Sequence, residues 1–245
     1  MDRMIYTAMS GAKALELRQH ALSNNLANAS TDGFKADLEA FRAVPLRAEG
    51  AATTRVFAIE ANAGIDPTVG PIRQTDSSLD MAVRGEGWFA VEGEDGREHY
   101  TRNGAFVTGA DGTLQTQAGR PVLGAGGPIQ IPPNAQILVG EDGTLSTQIG
   151  IDPPVVVGQL KLVNPPIADM KKLGNGLHQM RNEVQAPVDA EVTVVSGALE
   201  GSNVNVVESM VGMIAVSRQF EMQMRMIQNA EANETRAASI LSRGS

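Results

Sequence analysis

One stretch near the end of the chain, Val204 to Ser242, constrains the fold more than any other. It contains no proline, and Gly212 is its only glycine, which favours a single uninterrupted helix. At 1.5 Å per residue such a helix is roughly 55 Å long, more than the diameter of a small domain. This chain alone cannot cover most of its apolar face, so the length favours assembly over an ordinary core helix.

The apolar residues of this helix recur at spacings of three and four, which predicts that they lie on one face. They are Val206, Met210, Met213, Val216, Phe220, Met224, Ile227, Ala230, Ala237 and Leu241. The opposite face carries Arg218, Glu221, Arg225, Glu231 and Arg236. Because charged residues interrupt every long apolar run, no membrane insertion is expected.

A second helix is predicted at the start of the chain, where apolar and small residues form a heptad seam. The seam residues are Ile5, Ala8, Ala12, Leu15, Gln19, Leu22 and Leu26. Asparagine, serine, aspartate and glycine then follow from Asn24 to Gly33, and these residues favour a turn over continued helix. We expect Gly33 to adopt a positive φ, and Gly33→Val to impair assembly while sparing the β domain.

The middle of the chain has the pattern of a mainly β domain. Short alternating stretches are separated by dipeptides that favour type I′ hairpin turns, namely Asp95-Gly96, Asp111-Gly112 and Asp142-Gly143. Val192 to Val195 is predicted as the last strand, and Gly197 to Asn205 as a hinge before the long helix.

These patterns predict an α+β protein in four parts. Residues 1–35 form the first helix and its turn, 36–80 an extended connector, 81–200 a β domain of short antiparallel strands, and 201–245 the second helix. Because both helices lie outside the compact middle, a fragment spanning residues 44–199 is expected to fold alone. The helices are expected to pair as a coiled coil on assembly.

Composition excludes several functional classes. The 245 residues carry a formal net charge of -8, so the chain lacks the overall basic character of nucleic-acid-binding proteins. Cysteine is absent, which excludes disulfides and thiolate metal sites and suits an oxidising compartment. Met1 to Met4 lead into a polar helix without an apolar core and cleavage site, so no cleaved secretory signal is expected.

No catalytic, cofactor or metal site is predicted. Gly85 to Ala90 has the G-x-G-x-x-A spacing of dinucleotide sites, but that motif opens a helix, whereas Trp88 to Glu92 is predicted to continue as a strand. The glycines instead indicate a tight turn or bulge, with Trp88 and Phe89 on opposite faces of the strand. The three histidines are isolated, and no Gly-x-Ser-x-Gly elbow indicates a hydrolase.

Four ordered motifs resemble those of the flagellar axial proteins, the family of rod, hook and hook-associated subunits. They are Asn24-Asn25-Leu26-Ala27-Asn28 with Gly33-Phe34-Lys35, then Gly85-Glu86-Gly87-Trp88-Phe89, then Tyr100-Thr101-Arg102-Asn103-Gly104-Ala105-Phe106, and last Gly201-Ser202-Asn203-Val204-Asn205-Val206-Val207-Glu208. The resemblance implies that the terminal helices pair in the core of a tube. The expected assembly residues are Ile5, Ala8, Ala12, Leu15, Leu22, Leu26, Met213, Phe220, Met224, Ile227 and Leu241.

The resemblance implies a structural role rather than an enzymatic one. Met1 to Met9 and Leu38 to Pro45 most resemble subunits of the proximal rod, and a distal-rod subunit is the alternative. Such a protein is implied to bind other rod subunits and copies of itself, to need no cofactor, and to reach the periplasm through the flagellar type III export apparatus without signal cleavage. The alternative from another class is a secreted β-domain protein that binds or hydrolyses glycans and carries a coiled-coil arm.

Overall fold

The computed structural model describes residues 2–45, 56–133, 135–150 and 152–243. The chain divides into two compact units, each built from separate stretches of sequence. The helical unit comprises Met1–Ala27, Asp37–Gly64 and Asn205–Ser245, and the β unit comprises Asn28–Ala36 and Ile65–Val204. The predicted α+β class is confirmed, because two long helices precede and follow a succession of short antiparallel strands.

The helical unit contains both helices, α1 (Asp2–Ala27) and α2 (Val206–Arg243). With 38 residues, α2 is the single uninterrupted helix that the sequence predicts. A Cβ built on Gly11 would lie 3.4 Å from the side chain of Gln223, and one built on Gly212 would lie 3.3 Å from Leu22. Gly11 in the first half of α1 therefore lies beside the middle of α2, and Leu22 near the end of α1 lies beside Gly212 near the start of α2. The helices pack antiparallel, and glycine permits their close approach.

The stretch predicted as an extended connector is more ordered than expected. Strands β1 (Asp37–Pro45) and β2 (Val56–Ile65) pair as a two-stranded sheet. No Asp-Gly or Asn-Gly turn signal links the two strands, so this pairing was not predicted. The domain boundaries themselves stay predictions.

The β unit is built around a five-stranded antiparallel sheet with the order β14-β5-β6-β16-β15. Its strands are β5 (Trp88–Glu92), β6 (Glu98–Thr101), β14 (Leu162–Val163), β15 (Met170–Lys172) and β16 (His178–Met180). A three-stranded sheet joins β11 (Gln136–Val139), β12 (Thr144–Gln148) and β13 (Val155–Gln159). A short 3-10 helix, Ile167–Asp169, precedes β15.

Four two-stranded sheets complete the β unit. They pair β3 (Ile72–Gln74) with β18 (Ala198–Glu200), β4 (Met81–Arg84) with β17 (Thr193–Ser196), β7 (Phe106–Thr108) with β8 (Leu114–Thr116), and β9 (Leu123–Gly124) with β10 (Gly127–Pro128). Residues from opposite ends of the β-unit sequence therefore lie side by side.

Strand β5 separates two apolar cores. Phe89 and Val91 pack into one core, where Phe89 meets Phe106 edge to face at 5.2 Å between ring centroids. Trp88 and Ala90 pack into the other. This confirms the predicted split of Trp88 and Phe89, and it confirms that the glycine motif before them precedes a strand, not a helix.

The Asp-Gly hairpins lie where the sequence predicts, but the predicted turn type is wrong. A type I′ turn needs positive φ at both central residues, and Asp76 and Glu183 are the only described non-glycine residues with positive φ. Each loop instead closes over three residues: Gly96 N donates to Gly93 O at 3.0 Å, and Gly93 N donates to Arg97 O at 2.8 Å. The loops that begin at Gly109 and Gly140 repeat both bonds. The glycine two residues before each aspartate therefore belongs to the turn.

The predicted hinge before α2 is also wrong in part. Its residues Ala198–Glu200 form strand β18 and are fully buried, because this strand pairs with β3, which lies far away in the sequence. The start of α2 is fixed locally, since the Asn205 side-chain oxygen accepts a bond from Glu208 N at 3.2 Å. Asparagine with glutamate three residues later is a helix-capping pattern.

Candidate functional site

Lys35, Arg102 and Glu200 form a buried charge cluster in the β unit. Lys35 Nζ donates to Glu200 Oε1 at 2.8 Å, and Arg102 Nε lies 3.1 Å from Glu200 Oε2. The side chains are 2%, 2% and 1% exposed, respectively. Burial lowers the pKa of Lys35 and of Arg102 below their ordinary values, and the carboxylate of Glu200 opposes that shift. Such a cluster holds only while all three partners are present.

Backbone groups from several loops complete the charge cluster. Arg102 donates to Gly87 O at 2.9 Å and to Gly85 O at 2.5 Å, and Gly70 N donates to Glu200 Oε1 at 3.0 Å. Gly85 and Gly87 have φ values of 76° and 132°, which favour glycine. The Gly85-Glu86-Gly87 motif therefore presents carbonyl oxygens to a guanidinium group.

Asn203 ties the segment before α2 to two other segments of the β unit. Its Oδ1 accepts a bond from Ala36 N at 2.8 Å, and its Nδ2 donates to Thr68 O at 3.0 Å and to Asp66 O at 3.3 Å. Because Asp66 N also donates to Ala36 O at 2.9 Å, residues near 36, 66 and 203 form one hydrogen-bonded group. Parts of all four motifs noted in the sequence thus meet in the β unit, namely Lys35, the Gly85-Glu86-Gly87 segment, Arg102 and Asn203.

Gly33 and Phe34 anchor the first motif in the same region. Gly33 has a φ of 70°, as predicted, and its N donates to Glu200 O at 2.7 Å. A Cβ on Gly33 would lie 2.2 Å from the backbone N of Asn103. Phe34 is buried, and Lys172 Nζ lies 3.8 Å from the centroid of its ring.

These contacts contradict the expectation for Gly33→Val and argue against the independent folding of residues 44–199. Gly33→Val cannot spare the β unit, because any side chain at Gly33 collides with the backbone of that unit. A fragment of residues 44–199 lacks Lys35 and Glu200, so Arg102 would stay buried without its charge partner. Charged residues are usually exposed, so the sequence pattern does not indicate that Lys35, Arg102 and Glu200 are buried. Only the motif resemblance drew attention to this part of the chain.

The asparagines of the first motif act within the helical unit. Asn25 Oδ1 accepts a bond from Asp37 N at 2.8 Å, and Asn25 Nδ2 donates to Asp37 O at 3.0 Å. Asn24 Nδ2 donates to the Asp37 carboxylate at 2.9 Å. The Asn25 amide thereby bonds both the N–H and the C=O of Asp37, the first residue of β1, as the backbone of a neighbouring strand would. Leu26 is half-buried and Ala27 is exposed. In the β unit, Asn28 O accepts a bond from Thr31 N at 3.1 Å.

The predicted α1 seam is only partly buried. Ala8 is buried, while Ala12, Leu15, Leu22 and Leu26 are half-buried. Ala21 and Asn25, which the seam did not include, are buried. The side chain of Ile5 lies outside the described residues. The α1 face within this unit is therefore made largely of small and polar side chains.

Helix α2 has apolar residues on more than one face, which corrects the single face predicted. Val216 and Ala230 are buried, Met213 and Ile227 are half-buried, and Phe220 and Met224 are 40% and 38% exposed. The side chain of Leu241 lies outside the described residues. A further set, here called the second stripe, is strongly exposed; it consists of Val207, Met210, Val211 and Ile214. Only Met210 among them belongs to the predicted face.

Small residues of α1 leave an open groove beside α2. This helix groove has a volume of about 340 Å³ and is lined by Gly11, Ala14, Leu15, Arg18, Gln219, Met222 and Gln223. Leu15 is the one predicted assembly residue that lines it. Its lining combines apolar side chains such as Leu15 and Met222 with the polar side chains of Arg18, Gln219 and Gln223.

The described residues form no obvious metal site. Among them, no three histidine or acidic side chains come together as metal ligands would. No described helix is both long enough and apolar enough to cross a membrane.

Three family models match successive parts of the chain. A model described as flagella basal body rod protein matches residues 5–35, a flagellar hook protein FlgE/F/G D1 domain matches 82–147, and a flagellar basal body rod FlgEFG protein C-terminal model matches 195–240. Together these matches include Lys35, Arg102 and Glu200 of the charge cluster and most of both long helices. The class they define is that of the axial proteins of the flagellum.

Full-length relatives make the family assignment specific. The chain is 43% identical to the flagellar basal-body rod protein FlgF of Salmonella typhimurium over 99% of both chains, and 43% identical to FlgF of Escherichia coli with the same coverage. It is 31% identical to the rod protein FlgG of Buchnera aphidicola from Acyrthosiphon pisum, over 93% of this chain and 95% of that protein. The chain belongs to the flagellar basal-body rod proteins.

Proposed function

We propose that this chain, a structural subunit of the proximal flagellar rod, divides two tasks between its two units. The helical unit supplies the surface that polymerises, and the β unit holds the chain segments that enter and leave it. The observation that carries this proposal is the exposure of α2. Nine large apolar side chains between Val206 and Met226 are at least 38% exposed, and contiguous exposed apolar surface of this kind marks an interaction site.

The charge cluster suits the second task. The chain enters or leaves the β unit after Ala27, Ala36, Gly64 and Val204. Residues beside three of these points, Ala36, Asp66 and Asn203, are joined by hydrogen bonds. Lys35 and Glu200 lie next to this group and are buried. These hydrogen bonds and ion pairs hold together the points at which the chain enters and leaves the β unit when the helices join a polymer.

The partners are other rod subunits and further copies of this chain. The names of the relatives support the basal-body rod as the location. The family resemblance supports three further parts of the proposal: passage through the flagellar type III export apparatus, arrival in the periplasm, and a structural rather than an enzymatic role. A strain without the export apparatus should accumulate the chain inside the cell, whereas secretion of the chain in that strain would contradict this route.

The position of the chain in the basal body tests the proposed function. A peptide tag inserted at the exposed Gly119 loop would be expressed in a strain that lacks the native copy, and purified basal bodies would be imaged with an antibody to the tag. Label on the proximal part of the rod is the expected result. Label on the distal part would favour the distal-rod alternative, and the absence of label from basal bodies would contradict both.

A further inference from the structure

We propose that the second stripe of one copy of this chain docks into the helix groove of a second copy. The inference rests on the proposed function and specifies which surfaces of the helical unit meet. The second stripe is Val207, Met210, Val211 and Ile214, and the helix groove lies between α1 and the middle of α2. Both surfaces belong to the helical unit of a single chain.

The second stripe faces away from the helix pair. At about 100° per residue, Val207 lies roughly 180° around α2 from Val216, which is buried. Val207, Val211 and Ile214 are 70%, 61% and 55% exposed. Their spacing of four and three places them in one row, so a single apolar groove can cover them together. After Ile214 the same side of α2 carries the charged residues Arg218 and Arg225 together with the exposed Met222.

The size and the apolar walls of the helix groove suit such a row of side chains. Gly11 and Ala14 leave space on α1, and Leu15 and Met222 supply apolar walls. Met222 is 58% exposed, and methionine adapts its shape to an incoming side chain. A groove of about 340 Å³ accommodates a few branched aliphatic side chains, such as those of Val211 and Ile214.

The charges at the two surfaces are complementary. Arg18 lies at the edge of the helix groove, and Glu208 follows the first residue of the second stripe. Both side chains are exposed, and neither takes part in an ion pair within the described part of the chain. An Arg18–Glu208 contact between copies would set the direction of docking, since opposite charges at the rim of an interface fix register.

The position of both surfaces on one chain favours a second copy as the occupant. A stripe that fits a groove elsewhere on the same molecule makes a head-to-tail contact, and such contacts extend into open helical assemblies when they do not close into a ring. The centre of the second stripe and the α2 part of the groove are about ten residues apart, which is roughly 15 Å along the helix. Successive copies would therefore be staggered along the axis, as a tube requires.

Disulfide crosslinking in basal bodies tests this contact. Because the chain has no cysteine, single variants give an unambiguous result. Ala14→Cys in the groove and Val211→Cys in the second stripe would be expressed together in place of the native copy. Mild oxidation should give a crosslinked dimer of this chain at least about tenfold above the level from either variant alone. The matched control pairs Ala14→Cys with Val156→Cys, which is 64% exposed in the β unit, and should give no dimer.

The outcomes separate the contact from the function. If both variants enter basal bodies without forming the mixed dimer, the docking proposal is overturned and the rod function stands. A crosslink from Val211→Cys to a different rod protein also overturns it, because the occupant is then not a second copy. If the wild-type chain is absent from basal bodies, the proposed function fails as well. Met222→Cys with Ile214→Cys provides a second pair if Ala14→Cys reduces incorporation.

Discussion

Glu200 is the residue whose replacement should destabilise the β unit most. In Glu200→Gln the cations Lys35 and Arg102 stay buried beside a neutral side chain, so we expect a loss of ~3–5 kcal/mol in the free energy of unfolding. Urea unfolding followed by the fluorescence of Trp88, the only tryptophan, would measure the β unit directly, because Trp88 is buried in one of its cores.

The exposed pair of Arg97 and Glu183 provides the matched control. Their side chains are 54% and 62% exposed at an Nη1–Oε2 distance of 2.7 Å, so Glu183→Gln should cost ~1 kcal/mol or less. Equal losses for Glu200→Gln and Glu183→Gln would show that the Glu200 carboxylate does not compensate the buried charges of Lys35 and Arg102.

Gly33 allows a comparison of backbone strain with steric collision. Gly33 and Gly119 have similar φ values of 70° and 78°, but Gly119 has open space where a side chain would begin, whereas Gly33 faces the backbone of Asn103. Gly119→Ala should cost about 1–2 kcal/mol through its left-handed backbone alone. Gly33→Ala should lower the free energy of unfolding clearly more than Gly119→Ala, because its added Cβ meets the Asn103 backbone. Chemical denaturation of both variants would measure the two losses. Equal losses would contradict a steric collision at Gly33.

His178 should make the β unit sensitive to acid. It packs against Trp88 with ring centroids 4.5 Å apart, and burial, followed by the positive charges of Lys172 and Lys35, lowers its pKa from 6.5 to about 4. A lowered folded-state pKa means that the contribution of neutral His178 is complete above pH 6.5 and is lost as the pH falls toward 4. At pH 5 the loss should be ~2 kcal/mol relative to pH 7.

Replacement of His178 should remove that part of the pH dependence. The difference in unfolding free energy between pH 7 and pH 5 should shrink by ~2 kcal/mol in His178→Gln. His20→Gln is the control, since the His20 side chain is 74% exposed. An unchanged difference in His178→Gln would assign the acid sensitivity to other groups.

Single residues differed in how far the sequence could predict them. The positive φ of Gly33 and the opposite faces of Trp88 and Phe89 follow from local chemistry, and both were predicted. The pairing of Lys35 with Glu200 was not, because 165 positions separate the two residues and no local pattern marks a buried ion pair. The predicted assembly residues stay predictions.

At the scale of elements, helices and hairpins were predictable because their signals are local. The α2 helix is a long run without proline, and the hairpins carry Asp-Gly. The similar sequences Asp111-Gly112-Thr113 and Asp142-Gly143-Thr144 even form the same bond, with each threonine hydroxyl donating to the aspartate at 2.7 Å. Pairings between distant segments, such as β3 with β18, carry no such signal, which explains the errors in the connector and the hinge.

The pair of α1 and α2 should be weakly stable in the free subunit. Its buried residues are mostly small or polar, and Gln19 Oε1 and Gln223 Oε1 are buried without a hydrogen-bond partner among the described residues. Each such oxygen costs about 1–3 kcal/mol. We therefore expect amides of both helices to exchange with deuterium much faster than those of β5 and β6 in the dilute monomer. Protection of the helices equal to that of these strands would contradict folding coupled to assembly.

At the scale of the whole molecule, the chain separates a stable unit from an assembling one by interleaving their sequences. The β unit takes one segment from before the β1–β2 pair and one from after it, and the charge cluster and Asn203 join them. The helical unit leaves apolar side chains exposed along α2. Substitutions that destroy one task should therefore spare the other.

Incorporation into basal bodies tests that claim most directly. Leu15→Asp and Ile227→Asp would each replace the native copy in cells, with Val156→Asp in the β unit as the control. The amount of chain in purified basal bodies would be measured beside the Trp88 unfolding midpoint of the purified proteins. We predict that both helix variants unfold at the wild-type midpoint yet are missing from basal bodies, while Val156→Asp is incorporated. Normal incorporation of the helix variants, or a large fall in their midpoint, would contradict the division of tasks.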